Sequence, residues 1–370
     1  MTDRDIAVET IGLGKNYGKV VALTSMDLRI KSGQYFVLLG PSGGGKTTLL
    51  RLVGGFIRPS SGRVLLHGID MSEVPPNLRR TSMVFQSFAL FPHMTVERNV
   101  GYGLRLRKLA KTEVSARVDR MLTLVGLEGL NARMPHELSG GQQQRVQLAR
   151  ALVLESDILL LDEPLASLDA NLRKDMCLEL KRIQEEVGIT FIHVTHNQEE
   201  AMTIADRIAL IADGALVEEG TSREIYERPK TRFTADFIGE NNIFDGIVAS
   251  IVDGRAIVDL GFARVAVPCG EVAASHGEAV LFSVRSELLE LGDYAEVAEA
   301  HDVSVDPVQA IPVTYLKEVY LGLTTSHMVR LPDQRDVVVR GVSTSGQAHF
   351  AADQAIYVRW RTDDARLLKG

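Results

Sequence analysis

The 370-residue sequence contains only two cysteines, Cys177 and Cys269, and one tryptophan. Two thiols cannot build a disulfide scaffold, and their scarcity fits a reducing, cytoplasmic compartment. Long apolar runs are missing too, with none near the roughly 18 residues that a bilayer-spanning helix needs. Neither sign of charge dominates. Lys and Arg number 41 against 48 Asp and Glu, a net of −7, which argues weakly against nucleic acid as the main partner. Charged residues make up 24% and hydrophobic residues 45%. Those are ordinary globular values, so disordered, collagen-like and coiled-coil chains are excluded. The opening Met1-Thr2-Asp3-Arg4-Asp5 is polar and acidic, and is not expected to be a signal peptide. If the protein works at a membrane, docking onto another subunit is the expected route.

At roughly 150 residues per domain, the length allows two to three domains. The charge is unevenly placed. Residues 241–370 carry the whole net −7, and residues 1–240 are balanced. Before residue 240, short apolar runs alternate with longer amphipathic stretches. After it come short β-type runs such as Arg255-Ala256-Ile257-Val258-Asp259-Leu260 and Arg335-Asp336-Val337-Val338-Val339-Arg340, punctuated by turns such as Asp253-Gly254. The expectation is an α/β domain over 1–240 and a small all-β domain over 241–370, joined near Phe237–Asn242. Tyr35–Leu39, Ile158–Leu161 and Phe191–Val194 are continuous apolar runs, the pattern of strands buried on both faces. In the stretch Gln144 to Leu154, Val146, Ala149, Leu152 and Val153 share one helical face. Strands alternating with helices predict a mostly parallel sheet, with ligands at the carboxyl ends of its strands.

Gly40-Pro41-Ser42-Gly43-Gly44-Gly45-Lys46-Thr47 fits G-x-x-x-x-G-K-[ST] at every fixed position. It follows a strand and opens a helix, Thr47-Thr48-Leu49-Leu50-Arg51-Leu52, which is the context the pattern requires. Glycines let successive N–H groups point into one concavity, a nest for phosphate oxygens, and the helix N-terminus adds partial positive charge. Lys46 is expected to reach the β- and γ-phosphates, and the Thr47 hydroxyl to ligate Mg²⁺. Ile158-Leu159-Leu160-Leu161-Asp162-Glu163-Pro164 ends a strand in two acids. Asp162 is placed to hold Mg²⁺, directly or through water, and Glu163 to polarise an attacking water. His93 and His193 lack partners at metal spacing, so no metal beyond Mg²⁺ is assigned. Cys177 falls on an amphipathic helix and is expected to be inert.

Leu138-Ser139-Gly140-Gly141-Gln142-Gln143-Gln144-Arg145 offers free N–H groups at a second helix start. One nucleotide needs only one phosphate nest, so a second suggests service to a nucleotide held by another copy. A head-to-tail pair would bury two ATP molecules at a closing two-fold interface. Alone, S-G-G is an ordinary N-cap. Here, however, Leu138–Gln142 resembles the signature motif of ATP-binding cassette (ABC) transporter ATPases. The family's other elements follow in order across residues 5–240. Tyr17, in Lys15-Asn16-Tyr17-Gly18, matches the aromatic stacked on adenine. Gln86 matches the glutamine that touches Mg²⁺ and water and senses the membrane partner. Ser167-Leu168-Asp169 matches the loop that communicates across the dimer. His196 matches the switch histidine on the γ-phosphate.

The resemblance implies a P-loop NTPase cassette with a helical subdomain at about 88–155. It implies ATP bound by Tyr17, by Gly40 to Thr48 and, in trans, by Ser139, Gly140, Gly141, Gln142 and Asp169. Mg²⁺ would be held by Thr47, Gln86 and Asp162, with Glu163, His196, Lys46 and Gln86 catalytic. Two permease subunits would dock near Gln86–Met94, where Ser87-Phe88-Ala89-Leu90-Phe91-Pro92-His93-Met94 is aromatic and apolar. An extracytoplasmic solute-binding protein would be an indirect partner, no nucleic acid would be involved, and the subunit would sit peripherally on the cytoplasmic face of the membrane. The tail of about 130 residues resembles the OB-like, TOBE-type regulatory domains of importer ATPases. Arg232–Phe244 looks most like the spermidine/putrescine type. Val284-Arg285-Ser286-Glu287 departs from the family's V-R-P-E, and Asn197 replaces a frequent Asp. The acidic tail invites a polyamine as feedback ligand, although a solvated face serving solubility is the simpler reading. Alternatives stay open: another solute (ferric iron, sugar, glycerol-phosphate, phosphonate), an exporter, a non-hydrolysing subunit, or a soluble cassette in DNA repair or translation. The last class usually carries long insertions or two cassettes, and this chain has neither.

Overall fold

The computed structural model describes residues 5–86, 89–270, 272–292, 307–343 and 350–369. Ser87 and Phe88 of the expected docking stretch lie outside them, as do Met1 to Arg4. The chain divides into two compact units, Met1–Arg223 and Glu224–Gly370.

The first unit opens with β1 (Ile6–Tyr17), β2 (Val20–Lys31), β3 (Tyr35–Leu39), α1 (Lys46–Val53), β4 (Ser61–Leu66), β5 (Ile69–Asp70) and β6 (Thr81–Val84). A helical stretch follows: α2 (Val96–Val100), α3 (Tyr102–Leu106), α4 (Lys111–Leu124) and α5 (Gly140–Leu152). The unit closes with β7 (Ile158–Asp162), α6 (Ala170–Val187), β8 (Thr190–Thr195), α7 (Gln198–Ile204), β9 (Arg207–Ala212) and β10 (Ala215–Gly220), and the division between the units falls inside α8 (Ser222–Glu227).

Two sheets carry this unit. The larger has the order β10-β9-β3-β8-β7-β6. Five of its strands are parallel, and only the edge strand β10 runs antiparallel. Every residue of β3, β7 and β8 is buried, as their unbroken apolar runs predicted. The smaller sheet, β2-β1-β4-β5, is antiparallel and was not expected from the sequence. Its alternation is broken by register shifts, including one between Thr10 and Leu13, and a bulge disturbs the period-two signal. Helix α1 joins one hydrophobic core with both sheets through Leu49, Leu50, Leu52 and Val53. Burying each such side chain contributes about 1.5–3 kcal/mol, so the helix that opens with Lys46 is anchored from behind. Helix α5 starts at Gly140 behind the Ser139 cap, where the S-G-G motif was expected to open it, and Val146, Ala149 and Leu152 are buried as expected. Cys177 is buried on α6, and burial pushes its thiol up to about 12, consistent with an unreactive side chain.

Among the described residues, the second unit contains α9 (Arg232–Phe237) and ten strands. These are β11 (Asn241–Val252), β12 (Arg255–Asp259), β13 (Arg264–Pro268), β14 (Ala279–Arg285), β15 (Glu290–Gly292), β16 (Val308–Tyr320), β17 (Thr324–Arg330), β18 (Asp336–Val342), β19 (Ala355–Arg361) and β20 (Arg366–Leu368). They form two antiparallel sheets, β13-β12-β11-β14-β20 and β15-β19-β16-β17-β18. Phe244 stacks on Phe282 and Trp360 in their shared core. The unit begins before the join expected at 240/241. Arg285 donates to the carbonyl oxygens of Tyr226 and Ile238, Asn241 to that of Ala235, and the Lys369 N–H to Lys230. Composition changes where the strands start, but these bonds bring residues 224–240 into the second unit. Ser286, the departure from V-R-P-E, is buried. Its N–H donates to the Glu240 carbonyl at 3.1 Å and its hydroxyl donates there at 2.8 Å. Proline could make neither bond.

His193 is fully buried on β8, its Nδ1 3.0 Å from the Tyr35 hydroxyl. Burial disfavours the imidazolium and lowers its pKa from 6.5 to about 3. Between those values the unfolded chain binds a proton that the folded chain refuses. Stability therefore rises with pH across this window, by about 1.4 kcal/mol per unit at full slope. Urea titrations from pH 7 to pH 4 should show the wild type losing stability more steeply than His193→Gln; equal slopes would refute the assignment.

Candidate functional site

Four neighbouring strands of the large sheet deliver the expected residues to one edge. Strand β3 runs into the loop that ends at Lys46. Strand β8 ends at Thr195 and is followed by His196. Strand β7 ends in Asp162 and is followed by Glu163, and β6 leads to Gln86. Because these strands are parallel, their carboxyl ends coincide, and that is where open α/β sheets bind ligands.

The loop from Gly40 to Gly45 folds as its glycines demand. Gly40, Gly43 and Gly45 have φ of 151°, 80° and 102°. At Gly40 a Cβ would stand 2.0 Å from the Ile211 carbonyl oxygen, so no side chain fits there. The hairpin side of the unit also borders this loop. A Cβ on Gly45 would stand 2.7 Å from the Ala22 carbonyl oxygen on β2. Strand β1 ends in Tyr17, half exposed, with Lys15 Nζ 5.2 Å from its ring centre. No side chain caps α1 and no acid occupies its first turn. Its N-terminal amides, together with Lys46, suit an anion. Lys46 is buried and donates to the carbonyl oxygens of Gly40 and Pro41 at 2.8 and 2.7 Å. Burial lowers its pKa, while Glu163 and Asp162 push the other way.

Thr47 donates its hydroxyl proton to Asp162 Oδ1 at 3.0 Å. Burial raises the Asp162 pKa, and the Thr47 hydrogen bond and Arg51 oppose that rise. A hydroxyl and a carboxylate at this spacing are hard oxygen donors that fit Mg²⁺. Among the described residues no cluster of three or more His, Cys, Asp and Glu could hold a metal. A cation here would draw its remaining ligands from an amide such as that of Gln86, from substrate or from water. Glu163 has φ of 45°, a strained value for a residue with a side chain. This turn aims its carboxylate back at two partners: His196 Nδ1 lies 3.3 Å from Oε1, and Gln86 Nε2 donates to Oε2 at 3.4 Å. Lys46, Thr47, Gln86, Asp162, Glu163 and His196 thus form one cluster.

Ser139 and Asp169 belong to a second. Ser139 caps α5, accepting from the Gln142 N–H at 3.3 Å, while Gln142 Oε1 accepts from the Ser139 N–H at 3.0 Å. Asp169 caps α6 by accepting from the Leu172 N–H at 3.0 Å. The two motifs are neighbours, since a Cβ on Gly141 would lie 3.2 Å from the Leu172 side chain.

A groove of about 470 Å³ lies beside the Gln86–Met94 stretch, lined by Phe56, Ala89, Phe91, Tyr102 and Arg150 among others. Buried Asn99 fixes its rim, accepting from the Phe91 N–H and donating to the Phe91 and Met94 carbonyls. Sequence reading missed Arg173 and Glu200 behind the first cluster. Glu200 lies on the buried face of α7 with Ala201 and Ile204, and an acid on an apolar face was the available signal.

The pattern described as ABC transporter matches residues 23–166, and that described as TOBE domain matches residues 282–368. The chain is 44% identical over 369 residues to the spermidine/putrescine import ATP-binding protein PotA of Thermobifida fusca, covering 99% of this chain and 94% of that protein. Its counterpart from Rubrobacter xylanophilus is 42% identical over 369 residues, at 99% and 95% coverage. Among solved structures, cbiO1 from Clostridium perfringens, part of the ABC transporter complex cbiONQ, matches with a TM-score of 0.57 at 33% identity, over 60% of this chain and 90% of that one. A dimeric ATP-binding cassette in a post-hydrolysis state, bound to ADP and Pi, matches with a TM-score of 0.52 at 33% identity, over 58% and 99%. These likenesses bear out the resemblance and the fold class.

Gly40→Ala should cost at least about 2 kcal/mol in urea denaturation, because its Cβ meets backbone. Gly43→Ala, with nothing within 4 Å, should cost only about 1 kcal/mol.

Proposed function

Since the chain belongs to the ABC transporter family, we propose that it is the ATP-hydrolysing subunit of an importer, acting as a head-to-tail homodimer. The convergence of Lys46, Thr47, Gln86, Asp162, Glu163 and His196 at one sheet edge carries this reading. In it, the amides from Gly43 to Thr48 and the Lys46 ammonium bind the ATP phosphates, and Tyr17 stacks on adenine. Mg²⁺, held by Thr47 and Gln86 with Asp162 behind them, would supply charge neutralisation at the β- and γ-phosphates. Glu163 takes the proton of the attacking water. That water's oxygen bonds to γ-phosphorus as the bond to the bridging oxygen breaks, and ADP leaves with the electron pair. His196, held against Glu163, keeps water and phosphate in line. Positioning and electrostatics account for most of the rate in such reactions.

The second cluster supports the pairing. Ser139, Gly140, Gly141 and Gln142, with Asp169, would meet the γ-phosphate of the partner's nucleotide. Closure on ATP and release after hydrolysis would rock two permease subunits. The groove at Phe91, Tyr102 and Arg150 suits a short helix from such a subunit. Among the described residues no helix is long and apolar enough to cross a membrane, in keeping with a peripheral subunit on the cytoplasmic face. Full-length similarity to spermidine/putrescine import proteins makes a polyamine the proposed solute, delivered by an extracytoplasmic binding protein.

Glu163→Gln should lower turnover at least about 100-fold while ATP still binds. Lys46→Ala and Ser139→Arg should each be inactive alone. Mixed in equal amounts they should regain about a quarter of the parental rate, since half the dimers hold one intact pocket. No regain in a steady-state phosphate-release assay would overturn the head-to-tail pair.

A further inference from the structure

Behind Glu163 and His196 lies a charge pair, a buried carboxylate and a partly exposed guanidinium, that the hydrolytic steps above do not use. Glu200 is 5% exposed. Its Oε2 accepts the Thr195 hydroxyl proton at 2.6 Å, and its backbone N–H donates to Asn197 Oδ1 at 3.1 Å. The carboxylate is therefore built into the turn that carries His196. Its Oε1 lies 3.6 Å from Arg173 Nε. Arg173 stands in the first turn of α6, and its Nη2 donates to the Leu168 carbonyl oxygen at 2.8 Å. Leu168 is the middle residue of Ser167-Leu168-Asp169, whose outer two residues are exposed. One guanidinium thus ties the exposed loop to the segment that holds His196. The space between them is small, about 40 Å³, and Glu163 and His196 also border it.

Stability alone is a poor reason for this arrangement. Burying the Glu200 carboxylate costs several kcal/mol, and an apolar side chain of similar volume often serves a core as well or better. A charged pair has another property: its geometry is narrow. A guanidinium that donates to a carbonyl on one side and faces a carboxylate on the other cannot follow a shift of the loop without pulling on both. Side chains packed this closely are bistable rather than continuously deformable.

We propose that Arg173 and Glu200 are positioning residues that couple the Ser167–Asp169 loop to His196. When a second copy docks on that loop, the displacement passes through Arg173 and Glu200 and sets His196 against Glu163. Hydrolysis is thereby made conditional on correct pairing. The inference rests on the hydrolytic and pairing reading above and adds to it a route by which one half-site learns that the other has arrived.

The test uses the full chain with Mg²⁺ and ATP. Arg173→Met removes the tie. Glu200→Gln keeps shape and removes the charge, so it preserves the test if Arg173→Met fails to fold. Arg173→Lys keeps the charge but loses the fork. Expected for the first two is a kcat lower by about tenfold or more, with KM for ATP within about twofold and a melting temperature near that of the parent. In a Glu163→Gln background, ATP-driven dimerisation should persist by light scattering. Arg173→Lys should recover only part of kcat. A kcat within twofold of the parent in a folded variant would overturn the proposal, as would KM and melting temperature shifting together with kcat. Glu163→Gln in the parent separates the two layers. If it leaves turnover intact, the hydrolytic reading itself is wrong; if it abolishes turnover while the Arg173 and Glu200 variants are silent, only the coupling is.

Discussion

Parallel pairing of strands β6, β7, β8 and β3 is the constraint on which the rest of the first unit depends. The register sets Leu39 beside Thr195, and Asp162 beside Val194. Three chain segments far apart in sequence therefore end at the same height. Parallel strands need crossovers, and here they run through helices such as α6 between β7 and β8, while α1 and the small sheet share a core with the large one. The apolar interior of these strands is thus not separate from the chemistry. It is what brings a lysine, two acids, a glutamine and a histidine within reach of one another, at an edge where backbone and side chains can turn toward solvent.

Around that edge the polar groups fall into two ranks. Those in front contact one another directly, Thr47 with the buried Asp162, and the partly exposed Glu163 with His196 and Gln86. Those behind centre on the buried Glu200 and bind backbone as much as side chains, as Arg173 does with Leu168 and Asn197 with Glu200. The front rank is suited to a substrate. The rear rank can hold its shape while the front changes partners, since a buried polar group without a partner is costly to leave behind. The positive φ of Glu163 fits the same picture. Its strained backbone is held by the N–H bond to Val194 at 3.0 Å, and strain of this kind persists only where surroundings impose it.

The second unit rests on a different principle. Its strands are joined mostly by short turns and paired antiparallel, with an aromatic stack at the centre. Arg285 is its counterpart of a keystone: the guanidinium lies 3.6 Å from the Tyr226 ring centre and reaches carbonyls on both sides of α9. Lost apolar contact and lost charge would both follow from its removal.

The sequence by itself determined the buried strands, the phosphate-binding loop and the acids at a strand end. Each of these is a local pattern: an unbroken apolar run, glycines where φ must be positive, charges where the run stops. It also determined that two nest-like helix starts exist. Only the tertiary structure decided that Gln86, Glu163 and His196 touch, since their separation along the chain carries no distance information. The same holds for Arg173 and Glu200, which look like ordinary helix charges until the packing of α6 against α7 makes them a pair. The antiparallel sheet of residues 6–70 was hidden for a related reason. Its bulges break the alternation that marks a half-buried strand, and the strand becomes legible only when its partners are in place.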